Sequence, residues 1–311
     1  MNDFFNLVKE RLEKSTIEFK EDFDREMRAI VQEIILSGLS RTDFFENNVF
    51  HGGTALRLVY GLNRYSDDLD FNMRRNDLVF SWKPYIDFLE HYAKGYGCTF
   101  EFKEEDLNNK KVVKTLNVKD NFSITDMIHN KGIVNVQFTH KKSRTKPKIR
   151  IDTSFQVADF TTEKKTLLFP IEYEVEVFDI YSMFAGKINA LLTREKTNKD
   201  TNTKERVDYG RDWFDFIWYV NHGVLPDFSF LSKKLKAKGT YKDQNIPVDL
   251  AWVKKQLMVR MRTLDYATLN KQIIDLTTLK NRITLHSALL IDAINRFGRN
   301  NIKGEKEIYG T

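Results

Sequence analysis

Residues 51–71 read His-Gly-Gly-Thr-Ala-Leu-Arg-Leu-Val-Tyr-Gly-Leu-Asn-Arg-Tyr-Ser-Asp-Asp-Leu-Asp-Phe. Gly52 and Gly53 close a strand and open a helix. Asp68 and Asp70 follow one residue apart, framed by Leu69 and Phe71. Alternate side chains of a strand share a face, so the two carboxylates project together while Leu69 and Phe71 pack behind them. Paired carboxylates repel unless a cation lies between, and hard oxygen donors select Mg²⁺ or Mn²⁺. The plain alternative is an exposed acidic turn, since Ser66-Asp67-Asp68 is turn-like.

The glycine pair admits two readings as well. Successive backbone N–H groups at a helix N-terminus bind anions, and glycine lets a phosphate approach closely, with the Thr54 hydroxyl as a further donor. Otherwise Gly52-Gly53-Thr54 is a tight strand-to-helix turn without a ligand. The G-x-x-x-x-G-K-[ST] loop of ATPases is absent from the chain. A phosphate turn beside an acidic pair is the apparatus of nucleotidyl transfer. A two-metal site then needs a third carboxylate. Asp152 in Ile-Arg-Ile-Asp (149–152) is the best candidate, brought beside Asp70 by an adjacent antiparallel strand. Glu172, Glu174 and Glu176 are rivals, although their regular alternation suggests a solvent face.

Lys187 lies in Phe-Ala-Gly-Lys-Ile-Asn-Ala-Leu-Leu-Thr-Arg (184–194), among apolar and small residues. A lysine is seldom so placed unless its charge meets a partner. Arg194 falls two turns later on roughly the same face. A triphosphate would neutralise both, whereas a snorkelling lysine at a domain seam is the plain reading. Arg211-Asp212 and Asp215 open an aromatic helix. Asp212 either orients Lys187 or a substrate group or simply suits the helix dipole. Arg211 and Asp215 have intrahelical ion-pair spacing.

Around these motifs the pattern divides. Glu26–Leu39 has helical spacing, with Met27, Ile30, Val31, Ile34, Ile35 and Leu36 apolar. Val49-Phe50 is a short strand, Ala55–Tyr60 a short helix capped by Gly61, and Leu69–Met73 a strand. Trp82–Tyr96 reads as a helix with Tyr85, Phe88, Leu89 and Tyr92 on one face. Cys98–Phe102, Ile133–Phe138, Ile149–Asp152 and Glu172–Phe178 read as strands, with a basic hairpin loop before Ile149. Asp179 caps a helix, the stretch 195–208 is polar, and amphipathic helices continue to about Phe297. The expected division is an α/β core with N-terminal helices (1–178) and a helical C-terminal domain (179–311).

A single cysteine, Cys98, excludes an internal disulfide framework and cysteine zinc clusters. No apolar run approaches the roughly 20 residues that span a bilayer, and Met1–Glu10 lacks signal-peptide character. A cytoplasmic protein without a membrane partner is therefore expected. The net charge of +6 favours polyanions weakly. Its distribution says more, in the basic run from Lys141 to Arg150 and in Lys233, Lys234, Lys236 and Lys238. Each run is either a solvated segment or a nucleic-acid contact.

Together, residues 52–71, 149–154, 187–194 and 211–215 resemble the AbiEii/AbiGii nucleotidyltransferase toxins of type IV toxin–antitoxin systems, which include the MenT-type tRNA-modifying toxins. The resemblance covers about Val49 to Val220. It implies an α+β fold, a DNA polymerase β-like nucleotidyltransferase core with a helical C-terminal region. It implies that Asp68, Asp70 and Asp152 bind Mg²⁺ or Mn²⁺. Gly52, Gly53 and Thr54 match the triphosphate loop, with Arg64 and Ser66 near it. Lys187 and Asp212 match the third and fourth motifs. The segment between Arg194 and Arg211 is longer and more polar than the family's pattern. The resemblance further implies NTP as substrate, a tRNA 3′ end or other RNA as acceptor, growth inhibition and a cognate antitoxin. Nucleotidylation of a protein or small molecule, or non-catalytic NTP binding, stand as alternatives.

Overall fold

The computed structural model describes residues 2–15, 17, 20–75, 80–105, 113–120, 148–154, 159–197, 203–237 and 239–299. Expected strand Ile133–Phe138, most of the basic run before Lys148, and Lys238 lie outside them. The fold is α+β. Chain contacts divide it into two units: Met1–Val59, Tyr65–Gln156 and Thr162–Val177 in the first, and Tyr60–Arg64, Val157–Thr161 and Phe178–Thr311 in the second.

The first unit contains helices α1 (Asn2–Lys14), α2 (Lys20–Leu39), α3 (Phe44–Asn47), α4 (Gly52–Tyr60) and α5 (Lys83–Gly95). Its strands are β1 (Asn48–His51), β2 (Asp68–Met73), β3 (Phe100–Glu105), β4 (Val113–Asp120), β5 (Lys148–Ser154), β6 (Thr162–Leu167) and β7 (Tyr173–Phe178). They form one mixed sheet in the order β3-β4-β5-β2-β1-β7-β6. β1 runs antiparallel to β2 and parallel to β7, while β4 runs antiparallel to β3 and β5.

β2 and β5 are parallel, in the register Asp68↔Arg150, Asp70↔Asp152 and Asn72↔Ser154. This corrects the expected antiparallel pairing. The connection between them carries α5, β3 and β4, and a crossover of that length permits a parallel partner, which a hairpin does not. The antiparallel partner of β5 among the described residues is β4, in the backbone register Leu116↔Ile151 and Val118↔Ile149. β4 spaces its apolar residues Val113, Leu116 and Val118 three and then two apart, which breaks the alternation by which a strand is read from sequence.

Beneath the sheet, Phe44 gathers Phe71, Tyr85 and Trp82 at ring separations of 4.8, 5.3 and 5.6 Å. Aromatic burial of this kind dominates core energetics. The six apolar residues expected on the face of α2 are all buried. At Gly38 an added Cβ would lie 2.7 Å from Leu89, so α2 and α5 approach through that position. On α5, Leu89 and Ala93 are buried, whereas Phe88 turns outward. Arg11 fastens α1 to α2 through Glu26 and Glu33, at 2.5 and 2.6 Å.

The second unit is helical: α6 (Ile180–Thr193), α7 (Gly210–Asn221), α8 (Phe228–Ala237), α9 (Leu250–Met261), α10 (Tyr266–Ile274) and α11 (Ser287–Arg296). The polar stretch after α6 contains a small hairpin, β8 (Glu195–Thr197) with β9 (Lys204–Arg206). Trp213, Phe214 and Trp218 are core residues, and Phe184 stacks on Tyr219 at 4.2 Å. Gly210 begins α7 where a Cβ would meet the Leu269 carbonyl at 2.3 Å. α7 and α10 touch there, backbone to backbone.

Asp179 caps α6, its carboxylate accepting from the Ser182 amide at 2.7 Å. Asp179→Ala should lower unfolding stability by about 1 kcal/mol with unchanged secondary structure, as read by urea denaturation monitored by circular dichroism.

Candidate active site

Two parallel strands carry a square of four charged side chains. β2 alternates as expected: Leu69 and Phe71 are fully buried, and Asp68 and Asp70 are partly exposed. Side chains at register partners of neighbouring strands stand on the same face. Asp68 is therefore opposite Arg150, and Asp70 opposite Asp152. The Arg150 guanidinium lies 3.2 Å from Asp68 Oδ2 and 3.0 Å from Asp152 Oδ2. The three sequence-predicted acids are thus brought to one face of the sheet. The rival acids are elsewhere: Glu176 accepts from Arg74 and Thr162 at 2.7 and 2.6 Å, and Glu172 and Glu174 are exposed.

Carboxylate oxygens on adjacent strands are the donor chemistry that Mg²⁺ or Mn²⁺ prefers. Among the described residues no three Asp, Glu, His or Cys side chains are drawn around one point. Arg150 lies across two of the acids.

Gly52 has φ +84°, and a Cβ on it would stand 2.4 Å from Asp70 Oδ2. Glycine is required there twice, for the left-handed backbone and for the approach of the carboxylate. α4 begins at Gly52, earlier than the apolar pattern alone suggests. Thr54 is buried, and its hydroxyl donates to the Asp68 carbonyl. Expected as a further phosphate donor, Thr54 instead ties α4 to β2. The Ser66 carbonyl accepts from Gln32 at 2.9 Å, which secures the loop entering β2. Arg28 pairs with Asp67 in the same loop.

The second unit holds a separate ionic cluster. Lys187 Nζ lies 2.9 Å from Asp212 Oδ1 and 2.7 Å from Asp215 Oδ2. Arg194 Nε lies 3.1 Å from Asp212 Oδ2. The predicted common face of Lys187 and Arg194 is realised, and both meet Asp212. Arg64 makes a bidentate pair with Asp215, Nε to Oδ1 at 2.6 Å and Nη2 to Oδ2 at 2.7 Å. Arg64 and Asp215 side chains are only 3% and 0% exposed, so Arg64 is an internal tie rather than a surface phosphate contact. Arg211 does not pair with Asp215 as its spacing suggests. It lies over the Tyr209 ring, 5.1 Å from the centroid.

Burial alone would raise the Asp215 carboxyl, but Arg64 and Lys187 outweigh it and hold the group below the usual aspartate range. For Arg64, burial would pull the pKa down, and Asp215 more than reverses this. Of the five charged groups in this cluster, three are cations (Arg64, Lys187, Arg194) and two are anions (Asp212, Asp215). Within these contacts a net positive charge remains, and polyphosphate is its natural complement.

Sequence reasoning missed Arg150 and the central role of Asp215. The i,i+2 spacing of Arg150 and Asp152 was the available signal for the first. Asp215 carried none, since its distant partner Arg64 is joined to it only by the fold.

The sequence matches the model of the nucleotidyltransferase AbiEii toxin family, type IV toxin–antitoxin system, over residues 34–297. The chain belongs to the AbiEii nucleotidyltransferase toxin family. AbiEii-family membership makes it a nucleotidyltransferase, with an NTP substrate and an antitoxin partner implied by the family. Its fold is similar to MenT4, a nucleotidyltransferase toxin from Mycobacterium tuberculosis H37Rv, with TM-score 0.55 and 16% identity over 94% of this chain and 88% of that chain. A weaker similarity, TM-score 0.42 and 16% identity, links it to JHP933 from Helicobacter pylori over 86% of each chain. No curated protein matches by sequence. No described helix is long and apolar enough to cross a membrane.

The depressed Asp215 pKa has a consequence for this AbiEii-family chain. Its contribution to stability is fully present above the unfolded value of about 3.9 and is lost as pH falls through the lower folded value. Asp215→Asn leaves Arg64 without its buried counter-charge and should destabilise by about 3–5 kcal/mol at pH 7. The difference from wild type should shrink below about pH 4, measured by urea titration across that range.

Proposed function

We propose that this AbiEii-family chain is a Mg²⁺-dependent toxin that transfers a nucleoside monophosphate from an NTP to a tRNA 3′ end and thereby arrests growth. The observation that carries the reading is the in-register pair Asp70 and Asp152, with Asp68 on the same face and the Gly52 turn against Asp70. Bound divalent metal would activate the acceptor hydroxyl and offset charge on the leaving pyrophosphate.

In this reading Asp68, Asp70 and Asp152 hold the metal, and amides of the Gly52-Gly53 turn take phosphate oxygens. Thr54 and Ser66 keep that turn and the β2 loop in place through backbone contacts. Lys187 and Arg194 answer triphosphate charge. Asp212, between them, holds both side chains in orientation. Arg64 serves through Asp215, which also holds Lys187. The acceptor attacks the α-phosphate in line, one P–O bond forms, the bond to pyrophosphate breaks, and the acceptor proton is released to solvent or base.

The nucleic-acid acceptor is supported by the overall charge of +6. Part of the second basic run is already engaged in the second unit, where Lys233 pairs with Asp159 at 2.7 Å. Lys234 lies over Phe230. Cytoplasmic action and control by a cognate antitoxin complete the proposal.

Incubation with Mg²⁺, each α-labelled NTP and total tRNA tests it. Label should appear on tRNA from a preferred NTP, and Asp70→Ala should reduce transfer by more than roughly a hundredfold while remaining folded. A folded, fully active Asp70→Ala protein would falsify the mechanism. Label on protein or a small molecule instead would change the acceptor and retain the chemistry.

RNA affinity should also fall steeply between about 50 and 200 mM salt, because bound phosphates release counterions. A flat dependence in filter binding would remove RNA from the proposal.

A further inference from the structure

On the acidic face of β2 and β5, one row of the charge square pairs opposite charges, Asp68 with Arg150. The next row sets like charges opposite, Asp70 with Asp152. Like charges directly opposite on paired strands are destabilising. Arg150 reaches both rows, 3.2 Å to Asp68 Oδ2 and 3.0 Å to Asp152 Oδ2. Its planar fork turns separate nitrogens to the two carboxylates, Nη2 to Asp68 and Nε to Asp152, a fixed spread that the single ammonium of lysine lacks. The Arg150 side chain remains 53% exposed, so it can leave this position without opening the core.

We infer that Arg150 is an internal counter-cation of the acidic site, which a divalent metal must displace from Asp68 and Asp152. The inference rests on the reading that these acids hold the metal. The same two oxygens cannot be fully committed to a guanidinium and to a metal at once. In the free protein, Arg150 places positive charge between Asp68 and Asp152 on the acidic face. Metal binding must break two ion pairs first. The free protein therefore holds divalent ions weakly, and a metal arriving with a triphosphate gains from the nucleotide's own contacts. Arg150 is a positioning residue that couples metal occupancy to substrate.

The test is Mn²⁺ binding to the full chain without nucleotide, read from the electron paramagnetic resonance signal of free Mn²⁺. Removing two partly exposed ion pairs by Arg150→Gln should tighten Mn²⁺ binding by about three- to tenfold. Arg150→Lys retains a charge but loses the fork, and should fall between wild type and Arg150→Gln. Unchanged or weaker Mn²⁺ binding in folded Arg150→Gln, judged by circular dichroism, would overturn the inference. If Arg150→Gln fails to fold, Arg150→Lys decides it, since the lysine variant must still bind more tightly than wild type. Asp70→Asn and Asp152→Asn test the underlying reading separately. Wild-type Mn²⁺ affinity in both would show that these acids do not hold the metal, whatever Arg150 does.

Discussion

Carboxylates crowded onto one face of a sheet repel, and the first unit is arranged around that repulsion. Asp70 and Asp152 are held opposite each other by the backbone ladder of β2 and β5. The ladder can do this because the other face of both strands is apolar and buried, through Leu69, Phe71, Ile149 and Ile151. A slip of one residue would send the acids inward and these side chains to solvent. The core thus enforces an electrostatic arrangement that the acids themselves oppose. Arg150 lowers the opposition, and Gly52 gives Asp70 the space that any other residue would fill.

The second unit solves a related problem in the opposite sense. Arg64, Asp212 and Asp215 are buried, and burial is tolerable only where each charge meets a partner. Asp215 is central because it binds Arg64 with both oxygens and also receives Lys187. Asp212 divides its oxygens between Lys187 and Arg194. The cations are consequently held in place without being fully neutralised. In the proposed triphosphate role, such preorganisation would limit the ordering cost at binding. The aromatic body of α7 makes the arrangement rigid, since Trp213 and Phe216 are fully buried around the acids.

Several expectations from single residues changed once their neighbours were known. Thr54 has the residue type and position of a phosphate donor, yet its hydroxyl is spent on the Asp68 carbonyl. Arg64 lies in the loop expected to contact nucleotide, yet it is buried against Asp215. Arg211 and Asp215 have ion-pair spacing on α7, yet the stronger long-range partner takes Asp215. In each case a tertiary hydrogen bond or ion pair occupies the group whose role was read from its local setting. The local spacing was legible, and the tertiary partner was not.

The sequence by itself determined the alternation of β2, the glycine turn, the capped helix after Asp179 and the family to which the chain belongs. These depend on short-range periodicity, backbone freedom and ordered motifs, all of which are local properties of the chain. Lys187, Arg194 and Asp212 could also be grouped, because helical spacing and an unusual apolar setting marked them. Only the tertiary structure decided that β5 runs parallel to β2, that Arg150 bridges Asp68 and Asp152, and that Arg64 is the partner of Asp215. Strand direction and long-range charge pairing depend on how distant segments are brought together. No periodicity within either segment encodes that meeting, so it becomes visible only when the chain is folded.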